Sequence, residues 1–264
     1  MSFMTANQIT LHYIADGAQA GTPLIFINSL GTNLHLWDAL VPSLPAHLRL
    51  VRYDKRGHGL SDTPPAPYTL RDHSDDLAAL LEQLEIETAI VIGISVGGLI
   101  AMDYALQHPE RVQSLVLCDT APRIGTPEGW SERIQAVREK GLPKMAGTIM
   151  GRWFAPTFAA QRPVDYRGFT NMLLQTPLEG YLGTCAALRD ADLYEEVSQI
   201  KAPTLLLCGA QDISTPPDLM REWAGALSKA YFQVIDGAAH LPCVEQPEAM
   251  AAAIKQFLQE VKHA

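Results

Sequence analysis

No apolar stretch in this 264-residue sequence is long enough to cross a bilayer, which takes about 20 consecutive apolar residues. Basic residues are few: 20 Lys and Arg stand against 29 Asp and Glu, a net charge of −9. A surface of that sign has no general attraction for nucleic acid. The four cysteines, Cys118, Cys185, Cys208 and Cys243, show no paired spacing. That argues against a disulfide framework and for buried thiols in a reducing cytoplasm. The opening residues Met1-Ser2-Phe3-Met4-Thr5 lack the shape of a secretory leader, so no export or membrane anchoring is expected. No His-Glu-x-x-His or similar ligand spacing occurs, so no metal is expected. No Gly-x-Gly-x-x-Gly or phosphate-loop pattern asks for a nucleotide cofactor. Repeats, low-complexity tracts and linkers are missing as well. What is present is a chain 47% hydrophobic, which suits one α/β domain with an insertion better than two domains.

The most informative stretch is Gly93-Ile94-Ser95-Val96-Gly97-Gly98. Thr88-Ala89-Ile90-Val91-Ile92 before it reads as a buried strand, and Leu99 to Leu106 after it as a helix ending before His108-Pro109. A serine in Gly-x-Ser-x-Gly between strand and helix is the nucleophile-elbow pattern. The turn is sharp and strained, so the residues two before and two after the serine must be small. The serine then sits at a helix N-terminus, where N–H groups face incoming negative charge.

Around that stretch the chain alternates strands and helices. Ile9 to Ala15 alternates in polarity and reads as antiparallel edge strand; Pro23 to Ile27, Leu48 to Tyr53, Val112 to Cys118, Pro203 to Cys208 and Tyr231 to Ile235 read as further strands. His35 to Leu44 reads as a short helix. Thr69-Leu70-Arg71-Asp72 has the form of a capping box, followed by Leu77, Leu80, Leu81 and Leu84 on one helical face. A closing helix is expected from about Pro247 to Val261. Between Pro122 and Asp192 strand-like runs vanish; Thr126-Pro127-Glu128 starts a helix that stops near Gly141. The reading is a core domain of residues 1–121 and 193–264 with a helical cap, 122–192, inserted in it. Alternating strands and helices imply a mostly parallel sheet covered on both faces.

Three chemistry-bearing residues directly follow predicted strands: Ser95, Asp212 and His240. In parallel α/β sheets the carboxyl ends of the strands form the site, so the three converge on one edge. Acyl transfer by serine needs a base, an orienter for it and donors for the oxyanion. His240 supplies the base and Asp212 the orienter, with Asp119 as rival. The Val96 amide and an amide of the loop Asn28-Ser29-Leu30-Gly31-Thr32, with Leu30 the first choice, make the oxyanion hole. His58, between glycines, reads as structural; His35 and His73 read as ordinary surface or helix residues.

These residues resemble the α/β-hydrolase family over nearly the whole chain. The resemblance rests on Tyr53-Asp54-x-Arg56-Gly57-His58-Gly59-x-Ser61, the elbow, Gly209-x-x-Asp212 and the late His240. Within that family the chain is similar to the 3-oxoadipate enol-lactonases. The matching residues are Asn28 to Thr32, Trp37, Lys55, Ile124-Gly125-Thr126-Pro127 with Trp130 and Arg133, Arg152-Trp153-Phe154 and Gly180-Tyr181. Most of the wider family has His-Gly where Asn28-Ser29 stand. Ile94 and Val96 depart from the leucine and methionine commoner in the enol-lactonases, apolar for apolar. The resemblance implies an α/β-hydrolase fold with an eight-stranded sheet, no cofactor, and hydrolysis of a small anionic lactone in aromatic catabolism. An acidic protein binding an anion needs a local cation. Arg133, a helical neighbour of Trp130, is the first candidate, with Arg152 and Arg189 as rivals; Trp130 and Trp153 would line the pocket. A carboxylesterase, a cofactor-free perhydrolase, a carbon–carbon hydrolase or a non-catalytic binding protein on the same fold are the alternatives.

Overall fold

The continuous apolar runs become the centre of one sheet in the computed structural model, which describes residues 1–261. Its strands are β1 (Ser2–Ala6), β2 (Ile9–Gly17), β3 (Pro23–Ile27), β4 (Arg49–Tyr53), β5 (Ala89–Ile94), β6 (Val112–Cys118), β7 (Thr204–Gly209) and β8 (Ala230–Ile235). They lie in the order β1-β2-β4-β3-β5-β6-β7-β8. β1, β2 and β4 pair antiparallel; from β4 through β3 to β8 every pairing is parallel. The expected eight-stranded, mostly parallel sheet is therefore present. β1 goes beyond the sequence reading: its alternating, half-exposed residues carry little signal of their own and are fixed by pairing with β2.

The helices are α1 (Leu70–Gln83), α2 (Val96–Gln107), α3 (Pro127–Trp153), α4 (Phe158–Gln161), α5 (Pro163–Leu174), α6 (Leu178–Asp190), α7 (Pro217–Ala224), α8 (Pro242–Glu245) and α9 (Pro247–Glu260). Thr69 caps α1 through the Asp72 amide, and Asp72 caps back. Leu77, Leu80 and Leu81 are then fully buried, each contributing about 1.5–3 kcal/mol by leaving water. α2, behind the elbow, is buried on nearly every side. Residues 34–44 form two short 3-10 turns rather than the expected helix. Asn33 caps the first turn and Pro42 sits in the second, so no regular α-helical ladder develops. No helix among the described residues is long and apolar enough to cross a membrane.

β3 lies between β4 and β5, so the chain leaves it in one direction and returns on the other side. Such a reversal opens a crevice at the carboxyl ends of the strands. The Asn28–Thr32 loop leaves β3 there, and Ser95 leaves β5. Helices α3 to α6 are inserted between β6 and β7. α3 breaks at Gly141, whose φ is 74°, with Pro143 following. α6 is seated on the core by a close approach of Gly180 to Gly57: a Cβ on Gly180 would lie 1.9 Å from the Gly57 carbonyl oxygen. The Tyr68 amide donates to Gly183 O at 3.3 Å beside this contact.

Candidate active site

Ser95 has φ 58° and ψ −124°, a strained conformation for a residue with a side chain. The turn is held by the Ser95 amide donating to Cys118 O at 3.0 Å and by Thr120 Oγ1 donating to Ser95 O at 2.7 Å. A Cβ on Gly93 would lie 2.1 Å from Gly97 O, and one on Gly97 would lie 2.2 Å from Ile27 O. The small residues the elbow needs are thus dictated by backbone on both sides.

His240 Nδ1 pairs with Asp212 Oδ2 at 2.8 Å. Asp212 also accepts from Thr215 Oγ1 at 2.7 Å and from the Ser214 amide at 2.8 Å. Burial raises the pKa of this carboxyl, but the His240 imidazole and these hydrogen bonds outweigh it and hold the group at about 2. Asp119, the rival, does not reach the imidazole. Its Oδ1 accepts the Gly209 amide at 2.8 Å, and burial together with the neighbouring Asp212 pushes its carboxyl well above the usual range. Ser95 and His240 line the same cavity without a hydrogen bond between them among the described residues; such contacts tighten when substrate binds.

The Asn28–Thr32 loop borders this cavity through Ser29 and Leu30, with its polar groups tied to the core. Lys55 Nζ donates to Ser29 O at 2.7 Å. His58 Nε2 accepts from the Gly31 amide at 3.0 Å, which places the ring proton on Nδ1, donating to Arg56 O at 3.1 Å. Asn28 Nδ2 donates to Thr32 O, and Asp54 Oδ1 accepts the Leu34 amide at 2.7 Å. The amides of Leu30 and Val96 have no acceptor among the described residues. His58, read from sequence as structural, thus grips this loop. His73 is a helix residue but not a surface one: it is buried under α6, 3.5 Å from Thr184 Oγ1.

The cavity, of about 210 Å³, is bounded by Ser29, Leu30, Ser95 and His240 on the core side. Trp130, Arg133, Arg152, Trp153 and Tyr181 close it from the insertion. Arg133 Nη1 donates to Tyr181 Oη at 3.3 Å. Neither Arg133 nor Arg152 is paired with a carboxylate among the described residues. Arg133 is half-buried and Arg152 exposed. Arg189 is elsewhere, paired with Asp190 at 2.7 Å on the outer end of α6, so it drops out as a candidate. Glu245, which sequence reasoning passed over, links the two layers. Its Oε1 accepts the Ala155 amide at 3.0 Å and its Oε2 the Ala239 amide at 2.7 Å, next to His240.

A strained serine between strand and helix, an imidazole backed by an ionised aspartate and two free amides beside them together define a class. The chain belongs to the alpha/beta hydrolase fold family, whose pattern matches residues 22–247, and it is a hydrolase. It is 36% identical over 256 residues to 3-oxoadipate enol-lactonase 2 of Acinetobacter baylyi, covering 97% of this chain and 96% of that protein. To 3-oxoadipate enol-lactonase 1 of the same organism it is 33% identical over 256 residues, covering 96% and 94%. The crystal structure of the enol-lactonase from Burkholderia xenovorans LB400 superposes with a TM-score of 0.95 at 34% identity, over 98% of this chain and 100% of that one.

Proposed function

We propose that this chain opens the enol-lactone of 3-oxoadipate to 3-oxoadipate, a late step in the β-ketoadipate route of aromatic catabolism. The observation that carries the reading is a single cavity that joins Ser95 and His240 to a half-buried, carboxylate-free Arg133 and to Trp130 and Trp153. That combination suits a small ester ring bearing a carboxylate. The names of the relatives support the same substrate. Residues 122–192 serve as the cap that recognises it. Four free, buried cysteines suit a cytoplasmic setting.

His240, oriented by Asp212, takes the Ser95 proton as Oγ attacks the lactone carbonyl. The amides of Leu30 and Val96 receive the oxyanion. Its collapse breaks the ring C–O bond, and the leaving enol oxygen takes the proton from His240. The enol then tautomerises to the ketone. Water, deprotonated by His240, attacks the acyl carbonyl and returns Ser95 to its starting state.

The test is loss of the ultraviolet absorbance of the enol-lactone with wild type and Ser95→Ala. Wild type should turn it over, and Ser95→Ala should keep only the residual acceleration of about 10³–10⁴ over water left by binding and the oxyanion donors. Ser95→Ala within tenfold of wild type overturns the nucleophile. A wild type inert on the lactone but active on neutral aryl esters makes it a carboxylesterase instead.

A further inference from the structure

We propose that Lys55, with His58 beside it, is a positioning residue for oxyanion stabilisation: it grips the carbonyl end of the peptide unit whose N–H end belongs to Leu30. The inference rests on the reading of Ser95 and the Leu30 amide given above. A trans peptide is planar, so the carbonyl of Ser29 and the N–H of Leu30 point in opposite directions. Whatever fixes the carbonyl behind the loop aims the N–H in front of it. Three donors reach Ser29 O: Lys55 Nζ at 2.7 Å, Thr32 Oγ1 at 2.9 Å and the Thr32 amide at 3.3 Å. The two from Thr32 belong to the same turn and move with it. Lys55 comes from the segment after β4, so it alone of the three ties the turn to the sheet. His58, from that segment too, holds the next peptide through the Gly31 amide at 3.0 Å.

Lys55 is buried, only 1% exposed. The oxygens of Asp54 are taken up by His12 Nδ1 and the amides of Leu34 and Leu60. An apolar side chain of the same length would fill the space without the desolvation cost of an amine. What the amine adds is one hydrogen bond, and its acceptor is Ser29 O. Burial drives this lysine well below its ordinary pKa, against the pull of Asp54; charged or neutral, the amine donates to Ser29 O. Donation to a carbonyl also polarises its peptide, making the N–H at the other end a stronger donor. Oxyanion donors act by being aimed in advance, which is what a rigid grip on both adjoining peptides provides.

The experiment uses 4-nitrophenyl acetate, which carries no carboxylate, so a wrong substrate assignment leaves it intact; Ser95→Ala run alongside reports on the nucleophile. Lys55→Met is compared with wild type well below its Tm. Loss of a whole oxyanion donor costs about 10²–10³ in kcat, so misaiming one should lower kcat by about 10–100-fold. Affinity for phenylboronic acid, which forms a tetrahedral adduct on the serine, should fall in step, while KM and the inhibition constant of 3-oxoadipate move little. A folded Lys55→Met with kcat within twofold of wild type overturns the proposal. So does a parallel loss of phenylboronic acid and 3-oxoadipate affinity, the mark of a merely structural lysine. Should Lys55→Met fail to fold, His58→Gln and His58→Leu decide. Gln keeps an acceptor for the Gly31 amide and should retain kcat where Leu loses it; equal losses overturn the grip on the loop.

Discussion

Asp119 and Asp212 offer oxygens within 4.8 Å of each other, with Cys208 Sγ in the same cluster, yet their carboxyls are pushed in opposite directions. Asp212 is held ionised by His240 and its hydrogen bonds, and the Asp119 carboxyl is pushed well above the usual range by burial and by Asp212 itself. Two like charges so close and so buried do not both ionise. Asp212→Asn should therefore remove the orienting acceptor of the imidazole and cost on the order of 10⁴ in kcat. Asp119→Asn keeps an oxygen for the Gly209 amide and should stay within tenfold of wild type. Steady-state kinetics on any good ester checks both; a crippled Asp119→Asn beside a mild Asp212→Asn would exchange the roles. The same contrast fixes a pH dependence. The Asp212 pKa is depressed in the folded state, from 3.8 to about 2, so its stabilisation is full above about pH 4 and is lost as pH falls toward 2. The shift corresponds to about 2 kcal/mol. Urea unfolding should show the stability gap between wild type and Asp212→Asn narrowing by about that amount from pH 5 to pH 2, and a constant gap would refute the assignment.

At the scale of elements, α8 joins the loop carrying His240 to the end of α3. The Glu245 carboxylate accepts one amide from each side, Ala239 at 2.7 Å and Ala155 at 3.0 Å. Glu245→Gln is nearly isosteric but turns one acceptor into a donor, so only one of the two bonds survives. A buried N–H left facing a donor costs about 1–3 kcal/mol. The variant should lower Tm and weaken both the turnover of small esters, through His240, and the binding of larger ones, through Trp153. A lowered Tm with both kinetic constants intact would make the link purely structural. Contacts of this kind explain what the sequence leaves hidden. Ser95, Asp212 and His240 are legible because each lies within a few residues of the end of an apolar strand, and the elbow because its glycines are spaced by sterics. Lys55, His58 and Glu245 act through backbone groups far from them in sequence, at Ser29, Gly31 and Ala155. No periodicity or local motif encodes such a pairing. His73 hides for the same reason: its helical face is plain, but α6 lying over it is a matter of tertiary packing. Residues 34–44 carry apolar spacing suited to a helix, and only the cap at Asn33 and Pro42 hint at the 3-10 turns observed.

Across the whole molecule, a net charge of −9 repels an anion at long range, so the proposed recognition of a substrate carboxylate has to be local. Two arginines without carboxylate partners among the described residues face the cavity, and their surroundings differ. Arg152 is exposed, where water and salt screen its charge. Arg133 is half-buried, and its Nη1 is steadied by the Tyr181 hydroxyl on α6, the helix seated on the core at Gly57. A guanidinium so placed keeps donors free for a carboxylate and holds it through two parallel hydrogen bonds, fixing orientation as well as affinity. Losing one partner of a desolvated charge pair costs about 3–5 kcal/mol, over a hundredfold. Arg133→Ala should thus depress kcat/KM for the carboxylate-bearing enol-lactone by about that factor and leave 4-nitrophenyl acetate nearly unchanged. Arg152→Ala should lower the lactone value by tenfold at most, and less as salt is added. The ratio of the two specificity constants, taken for wild type and each variant, is the measurement. A fall on both substrates would mean that Arg133 supports the fold of the insertion rather than the substrate. A large, substrate-specific fall in Arg152→Ala alone would move the anion site to the rim of the cavity.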